Sequence, residues 1–353
     1  MTPRLRVSER HWVLPTSFCL YTGAPLAFDQ PSETNMKFFI QFLLSVLCAA
    51  HVLAAESKII APGATLQKLA GDFAFTEGPA SDREGNVFFT DQPNDRILKW
   101  SIDGKRSTFM QPCGRANGLS FAPQGNLWAC ADEKNELWRN DPAGKATVVV
   151  KDYKGKLLNG PNDVWVRPFS RRYGLEGRGT PRRPADLQAP PSGLFFTDPY
   201  YKRPYWKRGP KETDECVYYL APDHKTLTRV IDDLKQPNGI IGTPEGQLLY
   251  VADIGAGKTY RYEIMGDGSL KEKKLFCEMG SDGMTIDSER NIYLTGKGVS
   301  VFDPAGKKIE QIDVAEPWTA NVCFGGKDRQ TLFITASKCL YSLRMAVHGV
   351  DSQ

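Results

Sequence analysis

Six times along this chain a short motif led by an acidic or amide residue is followed by a hydrophobic run that stops in a polar cap. The motifs are Glu77-Gly78-Pro79, Asn117-Gly118-Leu119, Asn162-Asp163-Val164, Asn238-Gly239-Ile240, Asp282-Gly283-Met284 and Asn321-Val322. The runs that answer them are residues 87–91 (VFFTD), 127–132 (LWACAD), 194–198 (LFFTD), 248–253 (LLYVAD), 292–296 (IYLTG) and 332–337 (LFITAS). Such a recurrence makes each copy one supersecondary unit that cannot bury its apolar face alone, so the copies must pack on one another. Six copies around a common axis bring their leading residues to that axis.

The caps lie 41, 66, 55, 43 and 41 residues apart. Turn signatures such as Asp82-Arg83-Glu84-Gly85-Asn86, Asp141-Pro142-Ala143-Gly144-Lys145 and Asp303-Pro304-Ala305-Gly306-Lys307 divide the copies into short strands, and no sustained 3.6-residue period is present. Four strands in about 40 residues is the size of one propeller blade. The expected architecture is therefore all-β, a six-bladed β-propeller over residues 55–353 with a central divalent-metal site. The strand-like Lys58-Ile59-Ile60 is expected to complete the last blade. The longest cap spacing comes from an Arg-, Pro- and Gly-rich surface insertion, residues 167–192, expected on the face opposite the ring. It reads as a surface loop or as a docking loop for an acidic partner.

Met36-Lys37-Phe38-Phe39-Ile40 opens an apolar stretch too short to span a bilayer that ends in small residues, the pattern of a secretory signal. Residues 36–54 are read as that signal, cleaved after Ala54 or Ala55, and the protein as exported, periplasmic or secreted, with no membrane association after cleavage. Residues 1–35 then read as a gene-model extension ahead of the start codon; the alternative is a signal anchor with a short cytoplasmic arm. The remaining cysteines, Cys113, Cys130, Cys216, Cys277, Cys323 and Cys339, show no close metal-type spacing, and their pairing cannot be deduced. The formal charge of +4 does not point to nucleic acid. Arg167, Arg171, Arg172, Arg178, Arg182 and Arg183 against Glu176 and Asp186 account for it within the insertion, and the rest of the chain offers no basic stripe. A monomer or weak oligomer is expected.

With the six copies equivalent, Glu77, Asn117, Asn162, Asn238, Asp282 and Asn321 form a ring at one mouth of the central channel. Carboxylate and amide oxygens are hard ligands that suit Ca²⁺, then Mg²⁺ or Mn²⁺, whereas zinc calls for His or Cys. Asn-Gly and Asp-Gly are also ordinary turn dipeptides. Six at one phase of a repeat are harder to account for as turns, and two carboxylates facing one narrow channel repel each other unless a cation sits between them.

Thr76-Glu77-Gly78-Pro79, Asn159-Gly160-Pro161-Asn162-Asp163, Gln236-Pro237-Asn238-Gly239, Ser281-Asp282-Gly283-Met284 and Phe196-Thr197-Asp198-Pro199-Tyr200-Tyr201 resemble the gluconolactonase and regucalcin (senescence marker protein) family over about residues 65–340. Diisopropyl-fluorophosphatase and the paraoxonases are more distant relatives on the same scaffold. The resemblance implies a divalent ion held by Glu77, Asn162, Asn238 and Asp282, with Ca²⁺ the first expectation and Mg²⁺, Mn²⁺ or Zn²⁺ the alternatives. It also implies hydrolysis of a small-molecule sugar lactone such as glucono-1,5-lactone. On this reading the ion polarises the carbonyl and Asp282 acts as general base, with Glu77 the other candidate for the base. Asn117, with Arg115 two residues before it, is expected to touch the substrate or to lie just behind the ion's ligands, and Tyr200, Tyr201 and Trp206 to wall the pocket. The regucalcin branch carries an arginine two residues before the position of Asn162; this chain has Gly160 there, which leaves the choice of substrate open.

Two other signals lead nowhere. Gly255-Ala256-Gly257-Lys258-Thr259 has the tail of a phosphate loop but continues as a strand, and no Gly-x-Ser-x-Gly elbow occurs. The alternatives that remain are a phosphotriesterase-like hydrolase on the same site, or a non-catalytic calcium-binding or protein-docking propeller.

Overall fold

The computed structural model describes residues 57–168 and 192–350. The expected extension, the expected signal and residues 169–191 of the expected insertion lie outside the described residues. Within them the chain forms six four-stranded antiparallel sheets and one short two-stranded hairpin, Asp152–Tyr153 with Lys156–Leu157. The first five sheets each use four consecutive strands, so every copy of the motif is one blade of a six-bladed propeller. Blade 1, for example, runs Thr76–Ser81, Val87–Asp91, Arg96–Trp100 and Arg106–Met110.

The sixth blade closes the ring. Its strands Thr319–Gly325, Thr331–Ala336 and Cys339–Arg344 are completed by Gln67–Ala70, which pairs with the last of them. The closing strand is therefore not Lys58-Ile59-Ile60. That segment contributes one bridge, Ile60 to Met345, because the chain turns at residues 62–63 before the ladder begins. Pairing the first strand with the last removes a free sheet edge and ties the N-terminal end of the domain to its C-terminal end.

Burial explains which strands were visible in the sequence. The second strand of a blade lies between two neighbouring blades, and Val87–Asp91, Leu127–Ala131, Leu194–Asp198 and Ile292–Gly296 are buried at every position. Such a strand reads as an unbroken apolar run. An outer strand such as Arg106–Met110 is mostly exposed and carries no such signature. Blades are joined by apolar packing, as where Val87, Phe89 and Leu98 of blade 1 meet Cys323, Phe333 and Leu340 of blade 6. All six cysteines in the described residues are buried free thiols.

The glycine that follows most of the motif leaders is required by space. Gly118 lies under blade 3, and its amide donates to the Asn162 carbonyl at 2.7 Å. A β-carbon there would lie 2.5 Å from that carbonyl oxygen and 2.7 Å from the Asp163 Cα. Gly239 is held against the Asp282 carbonyl in the same way, at 2.9 Å from the position a β-carbon would take. Neither has a left-handed backbone, so the reading of these dipeptides as turns is set aside. A backbone neighbour cannot swing away as a side chain can. Gly118→Ala is expected to lower the free energy of unfolding by about 1–3 kcal/mol, the usual penalty of overpacking. Urea denaturation checks this, and an unchanged midpoint would show that the contact is not tight.

Candidate functional site

The inner strand of each blade enters at one mouth of the channel, and its leading residue sits where the ladder is irregular. In blades 1, 4 and 6 the register shifts between Glu77 and Ala80, between Pro237 and Ile240, and between Thr319 and Asn321. In blades 2, 3 and 5 the ladder begins only after the leading pair, at Leu119, Val164 and Met284. A bulge frees a side chain from the in-out alternation of a strand and re-aims it. Here the freed side chains turn toward the axis.

Five of the six expected residues meet there. Asn238 Nδ2 donates to Asp282 Oδ1 at 2.9 Å and to the Tyr201 hydroxyl at 2.8 Å. The Asn117 amide, oriented by its hydrogen-bond network, donates to Glu77 Oε2 at 3.3 Å, and its oxygen accepts from Asn162 Nδ2 at 2.9 Å and from Arg203 Nη2 at 3.1 Å. Trp318 Nε1 donates to Asp282 Oδ2 at 2.6 Å. Glu77, Asn117, Asn162 and Asn238 are at most 3% exposed, whereas Trp318 is 38% exposed and marks where the site meets solvent.

Asn321 does not belong to this ring. Its amide donates to Thr335 Oγ1 at 3.1 Å, as Gly283 donates to Thr295 Oγ1 at 2.8 Å and Asp163 to Thr197 Oγ1 at 3.0 Å. Asn321 is therefore in line with the second residue of each pair, and the bulge places Ala320 at the ring position of blade 6. Asn321 Nδ2 donates to the Asp163 carboxylate at 3.1 and 3.3 Å. This pair fills the layer beneath the ring, where the other blades carry glycine.

Arg115 and Tyr200 do not join the ring by any hydrogen bond. The Arg115 guanidinium pairs with Glu133 at 3.2 Å and lies over the rings of Tyr205 and Trp206. The Tyr200 hydroxyl donates to the Gly209 carbonyl at 2.7 Å. Tyr201 is the tyrosine that reaches the ring.

Trp318 and Arg203 carried no repeat signal, and neither did the role of Asp132, which stands in the sequence only as the polar cap of its run. The four strand-end aspartates explain the last two. Asp91 accepts the backbone N–H groups of Ala74 and Phe75, Asp198 those of Asn159 and Gly160, and Asp253 those of Lys235 and Gln236. Each carboxylate thus buckles the loop two and three residues ahead of its blade's ring residue. In blade 2 that loop is held by Asp95, which accepts from Cys113 and Arg115. Asp132 is released from the task and binds Arg203 at 3.1 Å and also Arg208.

The donor set fits a hard divalent cation. Among the described residues no three His, Cys, Asp or Glu side chains are grouped to hold an ion. The ring instead offers two carboxylates with amide oxygens, and Asn238 Oδ1 is buried with no hydrogen-bond partner while its nitrogen is fully used. A buried amide oxygen without a donor is costly unless a cation meets it.

Comparison with known proteins gives consistent matches. A sequence model of the SMP-30/gluconolactonase/LRE-like region matches residues 172–338. The gluconolactonase of Zymomonas mobilis is 28% identical over 321 residues, which cover 80% of this chain and 82% of that one. Lactonase drp35 of Staphylococcus saprophyticus is 33% identical over 248 residues, covering 67% of this chain and 68% of its own length. The solved structure of a gluconolactonase from Xanthomonas campestris aligns with a TM-score of 0.70 at 27% identity, over 84% of this chain and 93% of that one.

Charge is crowded around the ring. Burial, then the negative charge of Asp282, then that of Asp163, push the Glu77 carboxyl well above the usual range, with Arg203 opposing. Burial, then Asp282, do the same to Asp163, against the donation from Asn321. Asp282 is also raised by burial, but Trp318, Arg203 and Asn238 hold it down. A carboxyl raised by folding stabilises the fold in its protonated form. That contribution is complete below the unfolded value of about 4 and is lost as the pH rises through the raised values. In chelator, the melting temperature is expected to fall from pH 5 to pH 8. Asp163→Asn, which keeps an acceptor for Asn321, should fall less and melt at least ~3 °C above wild type at pH 8. Parallel curves for the two proteins would remove Asp163 as a source of the destabilisation.

Proposed function

The chain belongs to the SMP-30/gluconolactonase/LRE-like family, and from that premise we propose that it hydrolyses a sugar lactone to the aldonic acid with the help of one divalent cation. The reading is carried by the convergence of Glu77 and the partly exposed Asp282 with the Asn162 and Asn238 amides in one ring, where the buried Asn238 oxygen has no partner. These four residues would hold the ion, Ca²⁺ first among the hard cations their oxygens suit. When bound, the cation offsets the two carboxylate charges and polarises the lactone carbonyl.

The chain's own groups supply the rest. Asp282 serves as general base: it takes a proton from a water whose oxygen bonds to the acyl carbon, and the carbonyl electron pair moves onto the acyl oxygen. As that pair returns, the bond from acyl carbon to ring oxygen breaks, and the ring oxygen leaves as a hydroxyl with the proton held by Asp282. Trp318 and Asn238 each donate to one Asp282 oxygen, which fixes the carboxylate's orientation and favours its ionised form. Glu77, the other carboxylate of the ring, would then serve mainly to balance the cation's charge. The exposed ring of Trp318 and the ring of Tyr201 offer apolar walls for a sugar face. We place the mature enzyme outside the cytoplasm, on the strength of the signal-like residues 36–54.

The test is lactone opening followed in a pH-stat above the spontaneous rate, with and without chelator. Asp282→Asn is expected to lower kcat by about 10³-fold, within the range of general-base removal, while circular dichroism stays unchanged. A loss below tenfold would move the base to Glu77. Activity indifferent to chelation would remove the cation from the proposal.

A further inference from the structure

Residues 199–215 connect the second and third strands of blade 3 and have no counterpart in the other blades. They bring two arginines to the mouth of the channel, with side chains only 16% exposed for Arg203 and 4% for Arg208. Arginines are seldom so enclosed without a partner. Both are anchored on Asp132, the strand-end aspartate that Asp95 frees from loop-buckling.

The two are used differently. Arg208 is spent on structure: it donates to Asp132 and to the Asn159 carbonyl, packs against Trp206, and fills the space that a side chain at Gly160 would need. Arg203 lies 4.6 Å over the ring of Tyr201, whose hydroxyl holds Asn238. Its Nε is bound by Asp132 and its Nη2 by Asn117, the amide that joins Glu77 to Asn162. Its Nη1 makes no hydrogen bond among the described residues. A planar fork with two arms fixed and the third open beside a ring of reactive oxygens is pre-organised to receive another oxygen.

We propose that Arg203 is a substrate-contacting residue, which donates through Nη1 to the acyl oxygen of the bound lactone and then to the carboxylate of the opened product. This rests on the lactone-hydrolase reading above. As the acyl oxygen gains its electron pair, a fixed guanidinium stabilises it more than the neutral carbonyl, so the contact acts on kcat. The same fork then retains the anionic product.

Two variants separate this role from a structural one. Arg203→Lys keeps a charge for Asp132 but not the open arm; Arg203→Met removes both. Each is measured for kcat, KM, inhibition by the open-chain aldonate, melting temperature and Mn²⁺ affinity, the last from the fluorescence of Trp318 beside Asp282. Arg203→Lys is expected to lose at least tenfold in kcat, and Arg203→Met about 100-fold, with weaker aldonate inhibition in both. Arg203→Met should bind Mn²⁺ as tightly as wild type or more tightly, because a like charge has left the site. Weakened Mn²⁺ binding in step with the loss of activity would make Arg203 a strut for Asn117 and overturn the proposal. So would a kcat of Arg203→Lys within threefold of wild type, even if Arg203→Met does not fold. Wild type that opens no lactone at all would overturn the enzymatic reading and this inference with it, an outcome distinct from an active wild type with indifferent variants.

Discussion

Six inner strands approach one axis so closely that neighbouring backbones touch, and the rest of the architecture follows from that crowding. At Gly118 and Gly239 there is no room for a β-carbon beside the next blade's carbonyl. The residue before each glycine is then pressed to the mouth of the channel. Its side chain can leave the strand's alternation because the ladder bulges or has not begun there. Close packing of the scaffold and convergence of polar oxygens are thus two results of one geometric demand. Apolar clusters between blades, such as the one that gathers Val87, Phe89 and Leu98 with Cys323, Phe333 and Leu340, hold the approach in place.

Convergence brings an electrostatic cost. Two carboxylates facing one narrow channel repel each other, and the repulsion grows as the effective dielectric falls. Burial of Glu77 and Asp282, with Asp163 one layer beneath, adds to this, and Arg203, Trp318 and Asn238 offset only part. The ring is therefore poised for positive charge. The strand-end aspartates keep it in shape by buckling the loops just ahead of the ring residues, and the single exception, Asp132, is where the site gains its arginines.

How much of this the sequence reveals depends on what each residue repeats. The second strands, buried on both faces, appear as apolar runs and give the blade count. Glu77, Asn117, Asn162, Asn238 and Asp282 share a phase and a chemistry, so they are legible. Asn321 is misleading because the inner hairpins differ in length by a bulge, and counting along the chain cannot tell a ring residue from its neighbour; the Thr335 contact reveals it as one step lower. The closing strand Gln67–Ala70 is half exposed with no apolar run, so the more hydrophobic Lys58-Ile59-Ile60 draws attention instead. Arg203 lies in a connection that no other blade has, and its importance depends on Asp95 doing in blade 2 what Asp132 does not. No spacing rule encodes an exchange of that kind.

The central claim is that oxygens from separate blades grip one cation. Anomalous diffraction at the manganese edge from crystals grown with Mn²⁺ tests it most directly. A single strong peak bounded by Glu77, Asn162, Asn238 and Asp282 is the expected result. A peak elsewhere in the molecule, with none at the ring, would contradict the account.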